Sequence, residues 1–129
     1  MVVDSSAVLA ILFQEPEAQL LADAIESVEQ PLISAATVVE IGIVLIGRDG
    51  TEARDDLEDF LATAGFLPVP VDGEQSRVAL DAFVQFGKGR HPAGLNYGDC
   101  FSYALAKVSG LPLLYKGGDF TKTDVIAAL

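Results

Sequence analysis

Three isolated acids interrupt apolar stretches of the chain, and a fourth, Asp119, follows a turn near its end. With His91 counted as neutral, each is the only charged side chain in its stretch: Asp4 in residues 1–14, Glu40 in residues 30–47 and Asp99 in residues 91–106. Burying an ionised carboxylate without a partner costs on the order of several kcal/mol. No basic residue stands nearby in sequence, so either each acid is locally exposed or the acids gather around a cation.

The predicted positions of the acids favour a shared site. Asp4 ends the first predicted strand, and Asp119 follows the turn after the last one. Ligands of open parallel sheets lie beyond the carboxyl ends of the strands, where both acids would be found. Asp99 falls in the first turn of a predicted helix if Asn96 is the N-cap. We therefore expect these carboxylates to converge at one edge of the sheet.

Glu40 lies on an otherwise apolar helix, where it shares a threefold spacing with Ser34 and Thr37. These three residues would form one polar stripe on the helix surface. The other acids also have purely structural alternatives: a helix cap for Asp4, the positive helix end for Asp99 and an ordinary turn for Asp119. Glu40 has no such alternative, because an acid in the middle of a helix caps nothing.

A cluster of four carboxylates predicts a hard divalent cation. Oxygen-only sites favour Mg²⁺ or Mn²⁺ over Zn²⁺. The chain has one His and one Cys, so a structural zinc site is excluded in practice.

Strands and helices alternate along the chain. The hydrophobic patterning predicts strands at residues 1–3, 31–33, 67–71 and 113–115, and helices at 7–13, 17–28, from a Ser34 cap to about 46, 51–64, 74–86 behind an Asp72 cap, 97–108, and 124–129. Such alternation predicts an α/β fold with a parallel sheet between two layers of helices. The length of 129 residues predicts one domain spanning residues 1–129.

The composition predicts a cytoplasmic protein that does not enter a membrane. The single Cys100 allows no internal disulfide, and no apolar run reaches the roughly 18 residues that a membrane span needs. The net charge of −11 is unusual for a protein that binds phosphates. However, five of the eight basic residues fall in the last third of the chain, so one side could be less negative: Lys88, Arg90, Lys107, Lys116 and Lys122.

Four segments together resemble one known family. VVDSSA at residues 2–7 resembles the opening of PIN-domain proteins, and Glu40, LNYGDC at residues 95–100 and LLYKGGDF at residues 113–120 follow in that family's order. The spacing between Asp99 and Asp119 is the most specific part of the match. GKGRH at residues 87–91 is similar to the VapC toxin branch of the family. One departure is Gly118, where relatives often carry Asn, Asp or Glu.

The resemblance implies a three-layer PIN-like fold with strand order 3-2-1-4-5 and an acidic pocket at the carboxyl edge of the sheet. It implies cleavage of RNA that depends on Mg²⁺ or Mn²⁺, an inhibitory antitoxin partner, and toxin homodimers within hetero-oligomeric toxin–antitoxin complexes. On this basis Asp4 and Asp99 would hold the essential cation. Glu40 and Asp119 would complete the catalytic site, orient the attacking water or help to bind a second ion. Because a polar side chain is missing at Gly118, the resemblance does not decide whether the site holds one metal ion or two.

Several other residues are candidates for supporting roles. Ser6 would hydrogen-bond a metal-bound water or the substrate phosphate, or would only assist a helix cap. Lys88, Arg90 and Lys116 are candidates for binding RNA phosphates. Two groups of apolar residues have both a core and an interface interpretation: Tyr97, Phe101 and Tyr103 as core or dimer contacts, and Leu9, Leu12 and Phe13 as core or a groove for an antitoxin helix. Cys100 is predicted to be a small core residue, and His91 a surface residue.

Other classes of protein remain as alternatives. Phosphoaspartate hydrolases need a second Asp where this chain has Ser6, and receiver domains need an acidic pair that is missing before Asp72. A structure-specific metal-dependent DNA nuclease would use the same carboxylate chemistry. A catalytically silent PIN-like binding module should have lost one of the four acids, and this chain has lost none.

Overall fold

Four short parallel strands form the centre of the structure, a computed structural model that describes all 129 residues. The strands are β1 (Val2–Val3), β2 (Leu32–Ser34), β3 (Leu67–Val69) and β4 (Leu113–Leu114), in the order β3-β2-β1-β4. The helices are α1 (Ser5–Leu12), α2 (Ala18–Glu26), α3 (Ala35–Asp49), α4 (Ala53–Thr63), α5 (Gly73–Phe86) and α6 (Tyr97–Ser109). The predicted α/β class, with helices on both faces of a parallel sheet, is confirmed.

The two faces of the sheet bury different side chains of the same strands. Val3 and Leu114 point into a core formed with α1 to α4, whereas Val2 and Leu113 point into a core formed with α5 and α6. This follows from the alternation of side chains along a strand. All four of these side chains are at most 1% exposed, so β1 and β4 are fixed at the centre of the molecule.

Four of the six helices begin with a side-chain cap. Asp4 caps α1, Ser34 caps α3, Asp72 caps α5 and Asn96 caps α6, each through its side-chain oxygen and a backbone N–H. The three predicted caps at Ser34, Asp72 and Asn96 are thus confirmed. Helix α3 continues through Gly47 and ends at Gly50, whose φ of +90° lies outside the helical region.

The fifth strand of the implied 3-2-1-4-5 order is reduced to a single pairing. Leu113 bridges Ala127 in parallel, with backbone bonds from Leu113 N to Ile126 O (2.8 Å) and from Ala128 N to Leu113 O (3.0 Å). The helix predicted over residues 124–129 is therefore wrong, because these backbone groups pair with β4 instead. Asp124, at the start of this segment, accepts a hydrogen bond from the Tyr103 hydroxyl of α6 at 2.7 Å.

The segment after β4 contains one element that the sequence did not predict. A 3-10 turn covers Asp119–Lys122, and its Phe120 is buried in the core beside α5 and α6. None of the helices has both the length and the apolar character that a membrane crossing requires.

Candidate active site

The four predicted acids lie in one cavity of about 310 Å³ at the carboxyl edge of the sheet. Each comes from a different element: Asp4 from the end of β1, Glu40 from α3, Asp99 from α6 and Asp119 from the turn after β4. The full lining consists of Asp4, Ser5, Ser6, Leu9, Glu40, Val44, Asn96, Asp99, Lys116, Asp119 and Phe120. The topology thus brings together acids that are far apart along the chain.

The Asp4 carboxylate is buried, at 2% exposure, and only one of its oxygens is paired. Oδ2 accepts hydrogen bonds from the Ser6 backbone N–H (2.9 Å) and from Ser6 Oγ (2.7 Å). Oδ1 is buried with no hydrogen-bond partner. Because buried polar atoms in native proteins are nearly always paired, this free oxygen needs a ligand. A cation would satisfy it directly.

Ser6 joins the start of α1 to the loop after β4 at the cavity. Its hydroxyl donates to Asp4 and accepts a hydrogen bond from the Lys116 backbone N–H at 3.0 Å. The Asp4 backbone N–H in turn donates to Leu114 O at 2.9 Å. Ser6 therefore assists the α1 cap, which is one of its two predicted roles. It also lines the cavity, as the other role requires.

Asp99 is fixed by a capping box at the start of α6. Its Oδ2 accepts from the Asn96 backbone N–H at 2.9 Å, and its own N–H donates to Asn96 Oδ1 at 2.9 Å. The side chain is buried. This arrangement orients one carboxylate oxygen through the cap and leaves the other free of that hydrogen bond.

The electrostatic environment of Asp99 opposes its ionisation. The pKa of this carboxyl is raised from 3.8 to about 7, chiefly by burial and, to a smaller degree, by the negative charges of Asp4, Asp119 and Glu40. The hydrogen bond from the Asn96 backbone N–H acts in the opposite direction and lowers the pKa. The ionised carboxylates of this cavity therefore repel one another unless a positive charge lies among them.

Glu40 reaches the cavity because α6 has a glycine opposite it. A Cβ added at Gly98 would lie 1.6 Å from Glu40 Oε2, so the carboxylate occupies the space that any other residue would fill. One turn earlier on α3, Thr37 Oγ1 hydrogen-bonds Ser102 Oγ at 3.3 Å in the core. The predicted polar stripe therefore faces α6. Sequence reasoning missed Gly98, although a glycine inside the first turn of a helix was a visible signal.

Lys116 lines the cavity, but its ammonium group pairs with acids other than the four predicted ones. Nζ contacts Glu15 Oε2 and lies 3.2 Å from Glu17 Oε2, both in the turn between α1 and α2. Neither glutamate was singled out in the sequence. Lys116 is the only basic residue in the cavity lining.

Arg90, the other predicted phosphate contact, is not brought to the cavity. It is exposed in the loop after α5, where its Nε donates to Val84 O at 3.2 Å. Arg90 was a candidate because basic residues concentrate in the last third of the chain. That position along the sequence does not determine on which side of the fold the loop lies. Lys88, in the same loop, is also exposed and outside the cavity lining.

Among the remaining candidates, Cys100 and Tyr103 belong to the core, whereas the core interpretation of Tyr97 is wrong. Cys100 is buried, as predicted, and burial followed by the Asp99 charge raises the pKa of its thiol to about 11. Tyr103 is buried and donates to Asp124 Oδ1 at 2.7 Å. Tyr97 is 80% exposed and stacks edge-on against Phe101 beside a second, largely apolar cavity of about 410 Å³ between α5 and α6.

The donor set of the acidic cavity fits a hard divalent cation. The unpaired Asp4 Oδ1 and the repulsion at Asp99 both call for positive charge. No three His, Cys, Asp or Glu side chains are grouped tightly enough to hold an ion on their own. Water or substrate oxygens would therefore complete the shell, as is usual for Mg²⁺.

Comparisons with known proteins point to one family. Residues 1–126 match the PIN domain. The chain is 50% identical over 127 residues to "Ribonuclease VapC" of Mycolicibacterium smegmatis, covering 98% of each chain. It is 46% identical over 125 residues to "Ribonuclease VapC30" of Mycobacterium tuberculosis, covering 97% of this chain and 95% of the relative.

Solved structures share the fold at lower identity. VapC20 of Mycobacterium tuberculosis, described as a sarcin-ricin loop cleaving toxin, superposes with a TM-score of 0.76 at 15% identity and covers 97% of this chain and 95% of its own. A toxin–antitoxin complex from Klebsiella pneumoniae gives 0.71 at 16% identity, covering 99% and 97%.

Proposed function

This chain belongs to the PIN-domain family, and from that premise we propose that it is a Mg²⁺- or Mn²⁺-dependent endoribonuclease, the toxin of a VapBC-type pair acting in the cytoplasm. The observation that carries the proposal is the gathering of Asp4, Glu40, Asp99 and Asp119 in one cavity, with a buried Asp4 oxygen that has no partner. The names of its relatives supply the substrate class, RNA, at 45–50% identity over the whole chain.

In this mechanism two carboxylates would bind the cation and two would act on the attacking water. Asp4 and Asp99 would hold the cation, since their positions are fixed by the α1 cap and the α6 capping box. A bound divalent cation lowers the pKa of water and stabilises charge that develops on the phosphate. Glu40 and Asp119 would hold and deprotonate the attacking water, or help to bind a second ion.

The neighbouring residues would orient the RNA. Ser6 Oγ faces the cavity beside Asp4 and would hydrogen-bond a water or a phosphate oxygen. Lys116 is the one basic residue of the lining and would pair with a phosphate that enters the cavity. In-line hydrolysis at such a site should leave a 5′-phosphate and a 3′-hydroxyl.

Two exposed apolar surfaces support the partners proposed for this class. Val39 and Ile43 of α3 are 60% and 67% exposed and precede Glu40 and Val44 of the cavity lining, and they would receive an apolar antitoxin segment that covers the site. On the other side, Leu80 and Tyr97 are 69% and 80% exposed beside the apolar α5–α6 cavity, and would pack in a homodimer. Solitary exposed apolar residues are ordinary, whereas contiguous ones mark contacts.

The test is cleavage of end-labelled RNA and of matched DNA with Mg²⁺, with Mn²⁺ and with EDTA. We expect RNA products with 5′-phosphates, no cleavage in EDTA, and at least a roughly 100-fold loss in Asp4→Asn and Asp99→Asn, since even second-shell changes at metal sites cost about 10- to 100-fold. Asp81→Asn, an exposed residue of α5, makes the same charge change as a control. Full activity in EDTA would reject the mechanism, and cleavage of DNA alone would reassign the substrate.

A further inference from the structure

The ammonium group of Lys116 sits between two sets of acids. It lines the cavity that holds the catalytic carboxylates, yet its contacts are Glu15 and Glu17, with the Glu17 oxygen at 3.2 Å. The lysine side chain is 32% exposed and the two glutamates are 35% and 47% exposed. A single cation is therefore shared by two carboxylates that do not belong to the site.

An unrestrained lysine here would compete with the proposed metal ion. The cavity carries four carboxylates, and the buried Asp4 Oδ1 among them has no hydrogen-bond partner, which marks a deficit of positive charge. A flexible ammonium beside such a cluster would pair with it and neutralise part of its charge. Glu15 and Glu17 offer it an alternative on the outer side.

The backbone holds both partners without help from the ion pair. Helix α1 ends in a Schellman motif, in which Glu15 N donates to Ala10 O at 2.9 Å and Gln14 N donates to Ile11 O at 3.0 Å. Gln14 takes the left-handed position of the motif, with φ of +52°. The Lys116 backbone is held separately by Ser6 Oγ at 3.0 Å. The contacts with the glutamates therefore fix only the direction of the lysine side chain.

We propose that Glu15 and Glu17 are positioning residues that draw the Lys116 ammonium away from the catalytic carboxylates. This contact keeps the carboxylates available to a divalent cation and leaves the ammonium at the cavity mouth, where a substrate phosphate would meet it. The inference rests on the proposed function, because it concerns the same cation site.

The experiment is a calorimetric titration with Mn²⁺ of the full chain without RNA, at pH 8 and low salt. Four proteins are compared: wild type, Glu15→Gln/Glu17→Gln, Lys116→Gln and the triple variant. We expect the double variant to bind Mn²⁺ about three- to tenfold more weakly, in the range of couplings between neighbouring charges. In the Lys116→Gln background the same two changes should alter the affinity by less than about twofold, because no ammonium is left to compete.

The alternative is that the two glutamates attract Mn²⁺ only through their general negative field. The loss would then be equal with and without Lys116, and that additive result, an unchanged affinity or a tighter one overturns the proposal. Glu26→Gln/Glu29→Gln removes the same charge from exposed positions and should leave the affinity unchanged. If the wild type binds no Mn²⁺ at all, the proposed function fails as well, so the two failures are distinguishable. A crystal structure of the double variant should place Nζ within hydrogen-bond distance of a catalytic carboxylate.

Discussion

Replacing Asp99 by Asn should stabilise the metal-free protein at alkaline pH. The buried carboxyl has a pKa of about 7, against 3.8 for the ordinary value, chiefly because burial opposes its charge. Asn keeps an oxygen that can accept the hydrogen bond from the Asn96 backbone N–H, so the α6 cap survives the change. What the substitution removes is a negative charge that the folded cavity tolerates poorly.

The sign and the pH range follow from the difference between the folded and unfolded pKa. Folding takes up a proton between about pH 4 and pH 7, so the wild type loses stability as the pH rises through this range and reaches a plateau above it. The full pKa difference is equivalent to about 4 kcal/mol at complete ionisation. Because its neighbours can share the proton and the cavity can relax, we expect about 1–3 kcal/mol at pH 8. For a chain of this length that is a rise in Tm of about 3–10 °C.

The assay is thermal unfolding of wild type and Asp99→Asn in EDTA at pH 5 and pH 8, with Asp81→Asn as the exposed control. The variant should gain stability mainly at pH 8, and added Mn²⁺ should stabilise the wild type but not the variant, because only the wild type keeps the ligand. A variant that is destabilised at pH 8, or equally stabilised at both pH values, would refute the electrostatic reasoning.

Three further changes separate stability from function. Gly98→Ala should displace Glu40 and lower RNA cleavage about 10- to 100-fold. The Tm should stay the same or rise, because Ala has a higher helix propensity than Gly. A fall in Tm together with the loss of cleavage would argue against this explanation. Ser6→Ala should destabilise the fold by about 1–2 kcal/mol in urea unfolding, since the hydroxyl joins β1 to the loop after β4; no change would show that water replaces it. Asp124→Asn should cost about 0.5–1 kcal/mol at pH 7, because the Tyr103 hydroxyl and then Lys107 lower the pKa of Asp124. The difference from wild type should begin to shrink as the pH falls below about 4 and disappear once the pH is below the lowered pKa of folded Asp124.

The gathering of the acids could be expected from the sequence because three of the four follow a local rule, and Asp119 comes shortly after the last strand. Asp4 ends a strand, and parallel strands meet at one edge; Asp99 stands at the third position behind a capping Asn96. Glu40 was conspicuous as a charge on an apolar helix. These are properties of a residue and its immediate neighbours, which a single sequence displays.

Features that depend on packing between distant segments could not be expected in the same way. Gly98 matters only because α3 lies against α6, and Glu15 and Glu17 matter only because the first interhelical turn lies beside Lys116. Similarly, the last six residues have a helical composition, but a parallel pairing with Leu113 decides their backbone conformation. Local propensity is a weak prior that such contacts override.

The central position of β1 has a consequence for how the protein is made. The first strand of the chain pairs on one side with β4, and Val2 N and Asp4 N donate to Pro112 O and Leu114 O. A nascent polypeptide that has not yet been extended through these residues lacks both the strand and the loop that close the acidic cavity. Partial translation products that lack β4 and Asp119 would therefore carry Asp4 without a finished site, and RNA near a translating ribosome would meet no cleavage until these residues had been made and folded.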